Sequence, residues 1–518
     1  MRRLETRRPL ERSLLWRRQA QFYQAQGPRA WTAGTVPWRI TSTPLIASGF
    51  AGVLAAFAAE VGDARPLCVL DVGAGTGRLA YLLCRELAAR GVRFRYVMTD
   101  VAPSNLEAWR AHPQLAPLFR AGVLDAARFD AQQAAPLRLV ASGERWEPGA
   151  LPGPLVAIGT YLLDTLPHSL WRSRPLKSAP HPGPLPGVAG RGSAPRPTPR
   201  YFDGLLSEGG GMEAGDVTLE AAAEDSPLAE LAWRFDFAPA VPPPFVAGYA
   251  RGLPALRFLV PDGAFACVRA LEALGGGRAL CLFADKGPRT VAQLAALPFP
   301  PLARHGCVSA AVNFHALRAW AGWRFWCEPM TSDAAFGVYA VGRGRGRLPA
   351  TRRAFDAAFG ANQPLAAQAA LEATAARAGS ATLDELLAAL EASACSPDAL
   401  IRLAAPLRRC APGSTPDQAA RLTRVLERVS ENHFELAEDA DVAFELASVL
   451  HLARQLGPAM RQYLRSIAAR GEHPTTRFNL ALCCLDLGGL DEARAQLEAV
   501  LALAPGHRRA KELLSSLP

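Results

Sequence analysis

The chain has 518 residues, half of them apolar, enough for two to four domains with sizeable cores. That excludes global disorder, a collagen-like fibre and a small disulfide scaffold. The net charge of +10 is local: residues 1–18 hold seven Arg and two Glu, and residues 173–200 hold five basic residues and no acid. These two segments account for the whole excess, so they read as a solvated basic tail and loop, and a nucleic-acid partner is not expected.

No apolar run approaches about 18 residues without a charge, Pro or Gly, so no membrane span is expected. The N-terminus lacks an apolar stretch after its basic residues, so it is not a secretory signal; an Arg-rich transit peptide stays open. The ten Cys show no CxxC spacing and no Cys/His cluster, so no metal site is expected. They read as buried thiols in a reducing compartment, and a cytoplasmic location follows.

In chain order, a basic segment (1–20) precedes an α/β region (21–346). Leu67–Asp71 is a buried-strand pattern, and Arg78–Arg90 has Leu79, Leu82, Leu83 and Leu87 at helical spacing. Phe94–Thr99 reads as a strand, Leu106–His112 as a helix and Leu155–Ile158 as a strand. Gly263–Leu274 is helical and Ala279–Phe283 strand-like. This alternation implies a mostly parallel sheet with helices on both faces. Residues 173–200 carry eight Pro and read as a disordered insertion.

From Thr351 the pattern is helical throughout: a helical region at 351–435, then repeat-like helices at 440–518. Phe444-Glu-Leu446-Ala447 recurs 34 residues on as Phe478-Asn-Leu480-Ala481, Ala459 as Ala493, and Tyr463 as Leu497. The pattern resembles the tetratricopeptide repeat, with a small residue at the helix crossing and Pro505 at the exit. Gly471 stands where the first unit would have its Pro, and residues 508–517 would form a capping helix.

The sharpest motif is Asp71-Val-Gly73-Ala-Gly75-Thr-Gly77, between a strand and an amphipathic helix. Gly342, Gly344 and Gly346 repeat the spacing with no helix after them, so context decides. A dinucleotide fingerprint needs Gly or Ala at 78, where this chain has Arg78. Asp71 at the strand end suits a cationic sulfonium better than a pyrophosphate. Asp100 ends the next strand, where it can accept two hydrogen bonds from a ribose diol or cap a helix.

These residues resemble the class I S-adenosylmethionine-dependent methyltransferases, and more narrowly the MidA-type family that includes the mitochondrial complex I assembly-factor arginine methyltransferase. Ile40–Phe50 resembles the lead-in to that family's glycine turn. Leu163-Asp164-Thr-Leu-Pro167 resembles its "DALP", Cys281–Gly287 its "IDYG" strand and Val308–Phe314 its "LTAHVDF" segment. The matches fall in order over residues 22–345. Thr160-Tyr161 stands where the family has Asn-Glu, Lys286 where it has Tyr, and Asn313 where it has Asp. The resemblance implies a Rossmann-like class I methyltransferase sheet followed by an all-α helical-repeat domain.

The expected cofactor is S-adenosylmethionine, and the expected cofactor-binding set is Asp71, Gly73, Gly75, Gly77, Asp100 and Asp125. Asp164 and Tyr161 are the candidate catalytic residues, near the strand end where a nucleophile enters; a helix cap and a packed aromatic are their alternatives. Loss of the Glu leaves the substrate half altered, because a guanidinium needs a carboxylate to orient it. The expected function is methyl transfer to a protein side chain, arginine among the candidates, with the protein recruited by the C-terminal repeats. The alternative is a methyltransferase-fold scaffold that has lost turnover.

Overall fold

The structure, a computed structural model, describes residues 1–32, 39–174, 211–299, 302–304, 306–320, 322–330, 336–344, 346–436 and 440–518. Nearly all of the Pro-rich insertion lies outside these residues. The central sheet has seven strands: β1 (Leu67–Val72), β2 (Phe94–Asp100), β3 (Leu124–Arg128), β4 (Leu155–Thr160), β5 (Leu280–Asp285), β6 (Phe325–Cys327) and β7 (Gly337–Gly342). Their spatial order is β6-β7-β5-β4-β1-β2-β3. The pairs β1–β2, β2–β3, β1–β4 and β4–β5 are parallel, while β7 runs antiparallel between β5 and β6.

All six residues of β1 are buried, as expected of a strand covered on both faces. Alternate side chains feed two cores. Val69, Tyr96, Met98, Ile158 and Leu282 pack under the helices Pro44–Val61 and Arg78–Ala89. Cys68, Leu70, Val97, Ala157 and Phe283 pack under Asp262–Leu274 and Phe314–Trp320. This order and direction make the region a Rossmann-like class I methyltransferase sheet, and an all-α region follows it.

The basic N-terminal segment is not a solvated tail. Arg2–Pro9 is a strand paired antiparallel with Met212–Ala221 in a second, five-stranded sheet. Arg2, Arg3 and Arg7 face Glu224, Glu220 and Asp236 across it. Leu10, Leu15 and Trp16 are buried beside it and anchor the helix Leu14–Gln26. Seven Arg in the segment mask the few apolar residues that fix its position.

The helical region is continuous with the first domain. In Pro349–Phe359, Phe355 and Phe359 enter the same core as β1, and the Phe359 ring occupies the space a side chain at Gly49 would need. Thr351 donates its backbone N–H and its hydroxyl to Glu60. Further on, Phe434 stacks on His112 with centroids 4.1 Å apart, and Gln114 bonds the backbone of His433 and Glu435. The expected boundary near 346–351 therefore falls inside one packed unit. Pro44–Val61 is long and apolar enough to cross a membrane, but its Ile46, Phe50, Val53, Leu54 and Phe57 are buried in this core.

The last helices form two hairpins, Val442–Leu452 with Leu456–Arg470 and Pro474–Asp486 with Leu490–Leu503, then Arg508–Ser516. The equivalent positions Ala447 and Ala481, and Ala459 and Ala493, are fully buried at the crossings. One core runs from Leu371 to Cys483, so the hairpins stack on the helices before them. Cutting the chain after Gly346 should expose the face of Pro44–Val61 and yield aggregated protein. In the full chain, Phe359→Ala should lower stability by about 3–5 kcal/mol in denaturant titration. A soluble, monomeric 1–346 fragment with the same Tm would refute this packing argument.

Candidate functional site

The connections leaving β1 run to β2 and β3 on one side, and those leaving β4 run to β5 on the other. The carboxyl ends of β1 and β4 therefore flank a crevice where the strand order reverses, the usual ligand position in such sheets. A cavity of about 330 Å³ lies there. Its walls include Asp71, Gly73, Gly75, Asp100, Phe129, Asp130, Thr160 and Tyr161.

The glycine turn has φ of +71° at Gly73, +56° at Gly75 and +82° at Gly77, all left-handed. An L side chain is strained in this region. A Cβ at Gly75 would sit 3.2 Å from the Trp31 ring, and one at Gly77 would sit 2.9 Å from Met98. Gly77 is not a cavity residue: its lack of a side chain lets the following helix close on β2. Gly73 and Gly75 do line the cavity and present backbone to it.

Two carboxylates sit at the adjoining strand ends. Asp71 accepts a hydrogen bond of 2.8 Å from the Tyr96 hydroxyl. Burial pushes its pKa up to about 7; the Tyr96 bond opposes the shift and the nearby Asp100 adds to it. Asp100 accepts from Ala102 N at 3.0 Å and from Asn105 Nδ2 at 2.7 Å. Burial raises its pKa, and those bonds offset part of the rise. Backbone N–H groups of Val101 and Gly75 also bond the carboxylate and oppose the rise.

Asp125 is elsewhere. Its carboxylate accepts from the backbone N–H groups of Ala126, Ala141 and Ser142 at 2.7–3.0 Å, and it is not a cavity residue. It holds the 139–142 turn against β3. The residues that reach the cavity from this strand lie at and just beyond its end, at Arg128–Gln132. An acid was expected from β3, but the strand end, not its middle, faces the crevice.

Tyr161 lies on the cavity wall with φ of +46°, a left-handed conformation that costs a non-glycine residue about 1–2 kcal/mol. Its N–H bonds Ala284 O at 2.9 Å. Asp164 is buried behind the wall and is not a cavity residue. Its Oδ1 has no hydrogen-bond partner among the described residues, and Oδ2 is 4.0 Å from Lys286 Nζ. Burial pushes Asp164 up to about 7, with Lys286 opposing. Asp285, wholly buried, receives the N–H groups of Leu163, Asp164 and Lys286, and so fixes this loop.

A third wall was not foreseen. Trp16, Gln19, Tyr23 and Trp31 from the N-terminal segment line the cavity, and Tyr23 stacks on Trp31 at 5.6 Å. Gln19 is clamped to the backbone of Val308 in both directions. The signal in the sequence is four aromatic residues at 16, 22, 23 and 31, set in an Arg-rich stretch whose charge masks them. No group of His, Cys, Asp and Glu among the described residues could hold a metal. All ten Cys are free thiols, nine of them buried.

No protein-family model and no curated protein matches the sequence. Solved structures do. An uncharacterised protein from Burkholderia thailandensis is 18% identical over 66% of this chain and 90% of its own, with a TM-score of 0.40. A member of the same superfamily from that organism, described as a candidate methyl transferase bound to S-adenosyl-homocysteine, is 18% identical over 67% and 91%, with a TM-score of 0.42. YrrB, described as a TPR protein with an unusual peptide-binding site, is 23% identical over 28% of this chain and 66% of its own, with a TM-score of 0.20.

Because Asp125 satisfies three backbone donors away from the cavity, Asp125→Ala should destabilise the fold by about 1–3 kcal/mol. Ligand affinity measured by calorimetry below the melting range should stay within twofold. A large affinity loss with unchanged Tm would put Asp125 back in the binding set.

Proposed function

We propose that the chain is an S-adenosylmethionine-dependent methyltransferase. Its acceptor is a protein side chain, arginine among the candidates, and the C-terminal helical repeats recruit that protein. The observation that carries this reading is the cavity at the strand-order reversal, lined by the glycine turn and by the buried Asp71 and Asp100 beside it. Asp100 would accept the ribose hydroxyls, Gly73 and Gly75 would admit the donor close to the backbone, and Asp71 would face its positive charge.

Methyl transfer is an in-line displacement at the sulfonium carbon. It needs alignment and removal of water more than acid or base groups. The aromatic wall of Trp16, Tyr23 and Trp31 supports that role by excluding solvent. Tyr161 would border the path of the acceptor. Asp164 would act through the loop it belongs to, since it does not line the cavity. That placement also favours the second reading, a cofactor-binding scaffold without turnover. Incubating the full chain with methyl-labelled donor and a cell lysate separates the two, because a scaffold transfers no label.

Asp100→Ala should weaken donor binding by about 1–3 kcal/mol with the circular dichroism spectrum unchanged. Absence of donor binding to the intact wild type in calorimetry would remove the proposal.

Asp71 links binding to pH. With its pKa near 7, the unliganded protein holds a proton there below neutrality. A cation beside it favours the carboxylate, so binding below pH 7 must expel that proton. Donor affinity should therefore fall on acidification from pH 8 to 5.5, by up to about tenfold per unit below 7. S-adenosyl-homocysteine lacks the sulfonium and should show a smaller fall. Parallel pH profiles for both ligands would show that Asp71 does not sense the sulfonium.

A further inference from the structure

A second cavity, of about 500 Å³, lies between the first domain and the helical region. Its first-domain wall includes Arg39, Ile40, Leu45 and Tyr161. Its opposite wall comes from the helices Gln363–Ala376 and Pro397–Cys410 and the loop between 393 and 396, and includes Ala367, Leu371, Asp398 and Arg402. Tyr161 lines this cavity and the strand-end cavity alike. One residue with a strained backbone thus borders both a site suited to a methyl donor and a pocket built from both parts of the chain.

The chemistry of the second pocket is uneven. Ile40, Leu45, Ala367 and Leu371 make an apolar sleeve. Its charge is positive on balance: Arg39 and Arg402 against Asp398. Asp398 is also committed, 2.7 Å from Arg39 Nη1 and 2.9 Å from Nη2 of the buried Arg78. Burial raises its pKa, and the two guanidinium groups more than reverse that, so it stays ionised. Arg402 is half exposed and 4.0 Å from Glu372.

We infer that this pocket admits the methyl acceptor: a protein segment whose side-chain nitrogen passes along the apolar sleeve to Tyr161, with a neighbouring acidic residue held by Arg402. The inference rests on the methyl-transfer reading and names the substrate class for it. In the transfer, the donor's S–CH3 bond breaks with its electron pair left on sulfur. The acceptor nitrogen's lone pair forms the new C–N bond, and the acceptor's proton passes to solvent through the pocket mouth. A protein acceptor is favoured because one whole wall belongs to the stacked helices that continue into the C-terminal hairpins.

The test uses the full chain, methyl-labelled S-adenosylmethionine and a degenerate peptide library. Each peptide has a central Arg, Lys, Gln or His and acidic, neutral or basic neighbours. Acidic neighbours should be methylated at least tenfold faster than basic ones, and Arg402→Glu should reverse that order. Ala367→Trp, on a half-buried helix face, should cut labelling at least tenfold by filling the sleeve. Donor affinity of both variants should stay within twofold of wild type. Full labelling by Ala367→Trp, an acidic preference that survives Arg402→Glu, or no labelling of any peptide by wild-type protein that binds the donor would each overturn the inference. A wild type that does not bind the donor would instead overturn the methyl-transfer reading, and this inference with it.

Discussion

A parallel sheet whose connections leave in opposite directions cannot close over its own middle. Above β1 and β4 no crossover passes, so a gap must remain at their carboxyl ends. The other features of the site answer to that gap. Gly73, Gly75 and Gly77 take the left-handed turns needed to leave β1 without filling it. Asp71 and Asp100 end their strands beside it, and Tyr161 takes a strained conformation on its far rim.

The gap would be an open groove if only the sheet region formed it. A distant part of the chain converts it into an enclosed site. The helix Leu14–Gln26, held by the Arg2–Pro9 strand and the Gln19 clamp, supplies an aromatic wall. Enclosure then acts on the acids, because removal from water disfavours their charged form. Burial raises the pKa values of both Asp71 and Asp100 in this way.

The helical region is bound to the same site by charge as well as by packing. Arg78 opens the helix after the glycine turn and is nearly inaccessible, so its guanidinium needs a buried partner. Asp398 supplies it from the helical region and is shared with Arg39, just before the helix Pro44–Val61. Arg85 and Arg428 extend the contact to Glu431 and Glu86. A displacement of these helices would thus reach the glycine turn through one residue. The repeat-like hairpins stack on those helices and share their core, so they are joined to the site through continuous packing.

The strand pattern of β1, β2, β4 and β5, the glycine turn and the acids at its flank were legible because they are local. A buried parallel strand is apolar along its length, and a left-handed turn calls for glycine wherever it occurs. The 34-residue recurrence was legible because each hairpin repeats the same crossing, and Ala447 and Ala481 show it. What needed the tertiary structure was every relation between distant segments. Arg78 read only as a residue that spoiled a fingerprint; its partner lies 320 positions away in the chain. Seven Arg concealed a strand whose charges face Glu220 and Asp236 from a separate segment. Asp125 and Asp164 were acids of the right type, but one turns to its own backbone and the other is buried behind the wall. Residue type and local spacing follow from the neighbours in sequence. The direction a side chain faces, and which distant charge meets it, follow from how whole elements pack.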